Sequence, residues 1–234
     1  MPRDLLVIVP SRGRPGNVAR LIRAIARTAT AQTDLIFGFD DDDPSLRQNI
    51  AVTTAWSDQM PVGVETGPRK SLGGWTNQIA LTAAGDYRAL ASFGDDHVPQ
   101  TCGWDKLLLA AIDGMGGVGI AYPDDGIRDD VGEAWVMSSA IVRALGWMCE
   151  PSLQHWWVDE VITVIGREAG CLTYLPDVMV RHNHPAAGRG QFDATYWEAF
   201  EGVSRDKKAY ETWRAQRMAA DIATVRALLP DLPR

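Results

Sequence analysis

Leu5-Leu6-Val7-Ile8-Val9 is an unbroken run of five aliphatic residues, and it constrains the fold more than any other feature of the chain. A strand with one wet face alternates apolar and polar side chains, whereas a strand apolar at every position is covered on both faces. Just beyond it, Val18, Leu21, Ile22 and Ile25 recur at the spacing of one helical face, and Asn17 can cap that helix. Further strands are expected at Leu35–Phe39, near Val62–Val64, at Tyr87–Phe93 and at Val118–Tyr122, with helices around Trp75–Ala84 and Trp104–Ile112. Strand and helix trading places at this spacing predict a mixed, mostly parallel α/β sheet flanked by helices.

The second half is less regular. Strands are expected at Ala134–Ser139, Leu172–Leu175 and Val178–Arg181, a short helix at Ser139–Leu145 and an amphipathic one at Asp159–Ala169. From Thr195 to Leu229 the pattern is helical and highly charged, a C-terminal helical extension packed on the same unit. One run, Gly114-Met115-Gly116-Gly117-Val118-Gly119, matches the dinucleotide fingerprint by letter, but it follows a helix and opens a strand. That order is the reverse of what pyrophosphate binding requires.

In open sheets of this kind the ligand sits at the carboxyl ends of the strands. Those ends carry Pro10-Ser11-Arg12, Asp40 to Asp43, and Gly94-Asp95-Asp96-His97. Two adjacent carboxylates where a buried strand meets a loop suit a hard, oxygen-seeking cation of the kind that grips a diphosphate. Residues 1–30 hold six arginines against one acid, and residues 34–43 hold five aspartates and no base, an alternation suited to both phosphates and a metal. The net charge of −7 argues against broad nucleic-acid binding. No apolar run nears the roughly 20 residues that span a bilayer, so a soluble, cytoplasmic protein is expected. Three widely spaced cysteines (102, 149 and 171) predict reduced core residues, not a disulfide framework or zinc site.

Several landmarks occur in one order: Ile8 to Arg12, the Asp40–Asp43 cluster, Gly73-Gly74-Trp75-Thr76-Asn77, Gly94 to His97, Trp157-Val158-Asp159-Glu160, and His182-Asn183-His184. With these, residues 5–190 resemble the GT-A glycosyltransferases, particularly the family 2-like group. The resemblance implies a GT-A domain over residues 1–190, with a nucleotide-sugar half to about 122 and an acceptor half from about 123. Residues 191–234 form the helical extension.

The resemblance also implies roles. Pro10 and Ser11 open the nucleotide pocket, Asp40 or Asp42 contacts base or ribose, and Asn77 belongs to the Gly-x-x-x-Asn helix. Arg12, Arg69 and Lys70 face the phosphates and base. Asp96, with Asp95, binds Mn²⁺ or Mg²⁺ as the "DxD" acids, and His182 or His184 completes the shell. Asp159 is the catalytic base, followed by Gly170 at the family's spacing, with Glu160 as a second candidate, while Trp156 and Trp157 can stack on a sugar or an aromatic acceptor. Two departures stand out: the metal motif reads Asp-Asp-His, and Val158 replaces the acid before Asp159.

The reading is a metal-dependent, inverting glycosyltransferase using a nucleotide-sugar, most readily a UDP-sugar. The acceptor is open between a glycan, a protein and a modified (hydroxymethylated) DNA base, the last disfavoured by charge. The alternatives are a sugar-1-phosphate nucleotidyltransferase and a non-catalytic nucleotide- or carbohydrate-binding module. The prolines at 10 and 15 weaken the first as a triphosphate cradle.

Overall fold

The computed structural model describes residues 2–190 and 192–230. The aliphatic run forms strand β1 (Arg3–Pro10), paired in parallel with β2 (Thr33–Asp40) and β4 (Tyr87–Ser92). Its side chains divide between two cores. Leu5, Val7 and Val9 pack on one face with Val18, Leu21, Ile22 and Ile25 of helix α1 (Pro15–Thr28), and Leu6 and Ile8 pack on the other. Each aliphatic side chain so buried contributes on the order of 1.5–3 kcal/mol.

Helix α1 begins earlier than Asn17. Pro15 supplies the helical φ of the first turn, and Asn17 lies inside the helix with its amide on Asp95. Helix α2 (Leu46–Thr54), absent from the sequence reading, leads to β3 (Val62–Gly67), which pairs in parallel with β2 at the sheet edge. Helix α3 (Leu72–Ala83) is capped by the Ser71 hydroxyl, which accepts from the Gly74 N–H at 3.0 Å.

After β4 come β5 (His97–Pro99) and α4 (Trp104–Gly114), then β6 (Ile120–Asp124), β7 (Trp135–Ser138) and α5 (Ser139–Leu145). Helix α6 (Val158–Ala169) and β8 (Leu172–His182) complete a sheet of order β3-β2-β1-β4-β7-β6-β8-β5. The two short strands expected over 172–181 are one strand of 11 residues, which passes a register irregularity opposite Pro123 and Asp124.

Strand β7 runs antiparallel to both β4 and β6, whereas β6 and β8 run parallel to each other. The amino end of β7 therefore lies at the same edge as the carboxyl ends of β4, β6 and β8. Short strand β5 pairs antiparallel with β8 and sets His97 opposite His182.

The C-terminal region is three helices, α7 (Ala194–Glu201), α8 (Val203–Gln216) and α9 (Met218–Arg226). Trp213, Ile222 and Val225 enter the core beside α5 and α6, and the Trp213 indole donates to Asp221 at 2.8 Å. No helix among the described residues is long and apolar enough to cross a membrane. The three cysteines are free; Cys149 and Cys171 are buried, whereas Cys102 is exposed in the turn before α4.

Gly38 links this packing to the crevice. A Cβ there would lie 2.8 Å from the Trp75 ring, so the bare backbone of β2 lets the indole close on it. Gly38→Ala is expected to destabilise the chain by about 1–3 kcal/mol through overpacking. Urea unfolding followed by tryptophan fluorescence reads this, and an unmoved midpoint would contradict the account.

Candidate active site

The carboxyl ends of β1, β2 and β4, the start of α6 and one face of α7 enclose a cavity of about 780 Å³. Of the residues singled out from sequence, Pro10, Ser11, Arg12, Asp40, Arg69, Lys70, Asp95, Asp96, Trp156, Trp157, Asp159, His182 and His184 line it. Asp42, Asn77 and Glu160 do not. The exposed Asp42 carboxylate holds Arg12 at 2.5 Å, and Glu160 lies 3.4 Å from Arg128. The Asn77 side chain is spent on backbone, accepting from the Met148 and Cys149 N–H groups and donating to the Cys149 carbonyl.

On one wall Asp40 is 3% exposed and accepts from the Trp75 indole at 2.8 Å, the Lys70 N–H at 3.0 Å and Arg12 at 3.1 Å. The Lys70 ammonium lies over the Trp75 ring, 4.6 Å from its centroid.

The adjacent acids at the end of β4 are both buried but differently used. Asp95 accepts from the Ser11 hydroxyl at 2.5 Å, the Asn17 amide at 3.0 Å and Arg14 at 3.3 Å. Both its oxygens are thereby spent on the β1–α1 loop and helix α1. Burial pushes its pKa up to about 6, Arg14 pulling the other way. Asp96 accepts from the Tyr196 hydroxyl at 2.5 Å and lies 3.4 Å from His182 Nε2. Burial would raise its pKa, but His182, His97 and Tyr196 together hold it below the usual carboxylate range.

Three imidazoles gather beside Asp96. His97 and His182 have ring centroids 4.2 Å apart, and His182 and His184 5.1 Å. Burial would lower the pKa of His182, but contacts with Asp96 and Glu133 push it up to about 10. Burial, reinforced by the charge of His182, pushes His97 down to about 3. Among the described residues, two groups place ligand atoms within 4.8 Å of one another: Asp96, His97 and His182, and Asp125, Glu133 and His182. Asp95 and His184 belong to neither. The mixed oxygen and nitrogen donors of the first group fit a divalent ion such as Mn²⁺.

Asp159 lines the same cavity from the first turn of α6, half-buried, its Oδ1 accepting from the Glu160 N–H at 2.9 Å. Burial, then the charge of Glu133, pushes its pKa up to about 7. The approach to Asp159 is unusual: Trp157 has φ +64°, the left-handed region, which costs a residue with a Cβ on the order of 1 kcal/mol. Fully buried Asp206 of α8 braces this approach, one oxygen accepting from the N–H groups of Gln154, His155 and Trp156 at 3.3, 2.9 and 3.0 Å.

Helix α7 closes the mouth. Asp193, its N-cap, pairs with Arg14 at 2.6 Å; Glu198 pairs with Arg69 at 2.5 Å; and the Ala199 carbonyl accepts from the Trp156 indole at 2.6 Å. The sequence reading passed over Arg14, Glu133, Tyr196 and Asp206. The rule of strand carboxyl ends points to none of them. Only the arginine-rich stretch around Arg14 carried a signal.

No family model and no curated protein matches the sequence. Solved structures do match in fold. The Staphylococcus aureus (S. aureus) TarS 1–349 complex with UDP is 10% identical, TM-score 0.58, over 76% of this chain and 60% of that one. The same protein with UDP-GlcNAc is 11% identical, TM-score 0.57, over 83% and 64%. The mannosyltransferase PcManGT of Pyrobaculum calidifontis, in complex with GDP-Man and Mn²⁺, is 11% identical, TM-score 0.61, over 97% and 74%. This chain thus spans about 60% of the TarS 1–349 structure that it matches. The fold is the GT-A-like glycosyltransferase fold, a mixed sheet flanked by helices with a helical C-terminal segment.

The raised pKa of Asp159 has a stability signature. Between roughly pH 4, its unfolded value, and pH 7, the folded chain keeps a proton that the unfolded chain has released. Its contribution to stability therefore falls as pH rises through that window. In chelator-treated protein, the stability of Asp159→Asn relative to the parent is expected to improve from pH 4 to pH 8 in urea melts. A pH-independent difference would contradict this.

Proposed function

We propose that this chain is a metal-dependent, inverting glycosyltransferase that takes a sugar from a nucleoside diphosphate donor, most readily a UDP-sugar, to an acceptor hydroxyl. One observation carries the reading: a cluster of Asp96 and imidazoles shares a single cavity with the carboxylate of Asp159. The neighbours solved in complex with UDP, UDP-GlcNAc, or GDP-Man and Mn²⁺ support the donor class.

In this reading Asp40 meets the base or ribose, held by Trp75, Lys70 and Arg12, and Pro10 and Ser11 form the floor beneath it. Arg12, Arg69 and Lys70 face the diphosphate, since guanidinium groups match phosphate oxygens in pairs. Asp96, backed by Asp95, and one imidazole would hold Mn²⁺ or Mg²⁺, which when bound offsets charge building on the leaving diphosphate. Asp159 takes the acceptor proton as the acceptor oxygen attacks the anomeric carbon opposite the leaving group, and a pKa near 7 suits that task. Trp156 and Trp157 wall the acceptor side.

The contacts of α7 imitate this cargo. Glu198 sits on Arg69 where a phosphate oxygen would, and the Tyr196 hydroxyl proton sits on Asp96 where a cation would. Donor entry therefore exchanges these contacts. Tyr196→Phe removes one competitor, and the Kd for Mn²⁺ is expected to fall roughly tenfold, the worth of one hydrogen bond to a charged group. Calorimetric titration reads this, and weaker binding in the variant would count against the exchange.

Asp96→Ala should abolish Mn²⁺-dependent release of nucleoside diphosphate from a nucleotide-sugar in a folded protein. Asp159→Asn should keep donor binding but lower turnover by about 10²–10⁴-fold. Screening UDP-, GDP-, TDP- and CMP-sugars with Mn²⁺ identifies the donor. Release of pyrophosphate from a nucleoside triphosphate would instead indicate nucleotidyl transfer, and binding without turnover a non-catalytic module.

A further inference from the structure

The cavity holds three clustered imidazoles, and their hydrogen bonds distinguish them. A neutral imidazole has one nitrogen with a free lone pair, and the partner of the other nitrogen decides which one that is. His97 Nδ1 accepts from the Gly94 N–H at 2.7 Å, so the neutral ring carries its proton on Nε2. That Nε2 is buried and without a partner among the described residues, a donor and not a ligand atom. His184 Nδ1 accepts from the Ala186 N–H at 3.1 Å, with the same consequence. His182 is the reverse case. Its Nδ1 faces Glu133 Oε2 at 2.5 Å, and an ionised carboxylate can only accept. The Nδ1 proton is thereby fixed, and Nε2 is the atom presented toward Asp96, 3.4 Å away, so a cation bound there displaces only the Nε2 proton.

We infer that Glu133 is a positioning residue that selects His182, over His97 and His184, as the single imidazole ligand of the divalent cation. The inference rests on the metal-dependent reading above and deepens it. Register supports it from the backbone: His182 lies opposite His97 across β5 and β8, and its own N–H donates to the Asp125 carbonyl at 2.9 Å, so the ring is held from both ends. Glu133 arrives just ahead of the reversed strand β7, which brings a carboxylate behind the imidazole while Asp96 stands in front of it. Such a carboxylate–histidine–metal arrangement fixes the ring and raises its basicity, and losing the carboxylate typically weakens metal binding by 10–100-fold.

Mn²⁺ binding without any sugar donor tests this, by titration and by pulsed electron paramagnetic resonance, which detects nitrogen bonded to the ion. The parent and His184→Ala should each show coupling to one imidazole nitrogen, and His182→Ala none. Glu133→Gln should raise the Kd for Mn²⁺ by roughly 10–100-fold at unchanged melting temperature. Glu133→Asp should recover part of the loss, and it serves as the folded comparison if Glu133→Gln is unstable. Unchanged affinity in Glu133→Gln, or nitrogen coupling that survives in His182→Ala, would overturn the assignment while leaving a metal-dependent enzyme intact. A parent chain that takes up no Mn²⁺, with or without UDP, would overturn both.

Discussion

Two neighbouring carboxylates buried at the end of one strand are the constraint around which the crevice is built. Asp95 and Asp96 are each less than a tenth exposed, and charge that deep is tolerated only when it is paired or hydrogen-bonded. Asp95 is answered by Ser11, Arg14 and Asn17, which ties β4 to the loop after β1 and to the first turns of α1. Asp96 is answered by His182 from the end of β8 and by Tyr196 from α7. One dipeptide thus gathers three other parts of the chain, and the demands of electrostatics and the shape of the cleft become one problem.

The C-terminal helices belong to the same solution. Asp206 fixes three successive amides ahead of Asp159, Arg217 reaches buried Glu150 at 3.0 Å, and Trp213 fills the core beneath. The wall that carries the candidate base is therefore shaped by residues 50 or so positions later in the chain. The left-handed Trp157 fits this picture: a strained residue persists where its surroundings over-determine it.

The fold was legible because its signals are local. A short, β-branched apolar run with no polar interruption reads as a strand covered on both faces, and the 3.6-residue stripe of α1 follows at once. The position of Asp95 and Asp96 at the cavity was legible for a related reason, since they stand where a buried strand runs out. What stayed hidden was partnership across sequence. Nothing in the letters around Asn77 says that its amide serves the Met148–Cys149 backbone, or that Asp95 and Asp96 divide their tasks. Glu133 escaped because β7 is reversed, so a residue before a strand, not after one, reaches the ligand edge. Tyr196 and Asp206 escaped because a charged helical tail reads as periphery. The histidines near β8 could be noticed by composition, but choosing among them takes the hydrogen bonds of their far nitrogens.

The placement of α7 also bears on how the chain matures during synthesis. The sheet is complete once β8 has emerged, yet Asp96 still lacks its tyrosine and the turn before Asp159 lacks its brace. A chain stopped at that stage would also lack Trp213, Ile222 and Val225 from its core, and would hold an unfinished cleft with an under-compensated acidic pair. Completion of the pocket therefore waits on α7 and α8, which follow every strand of the sheet.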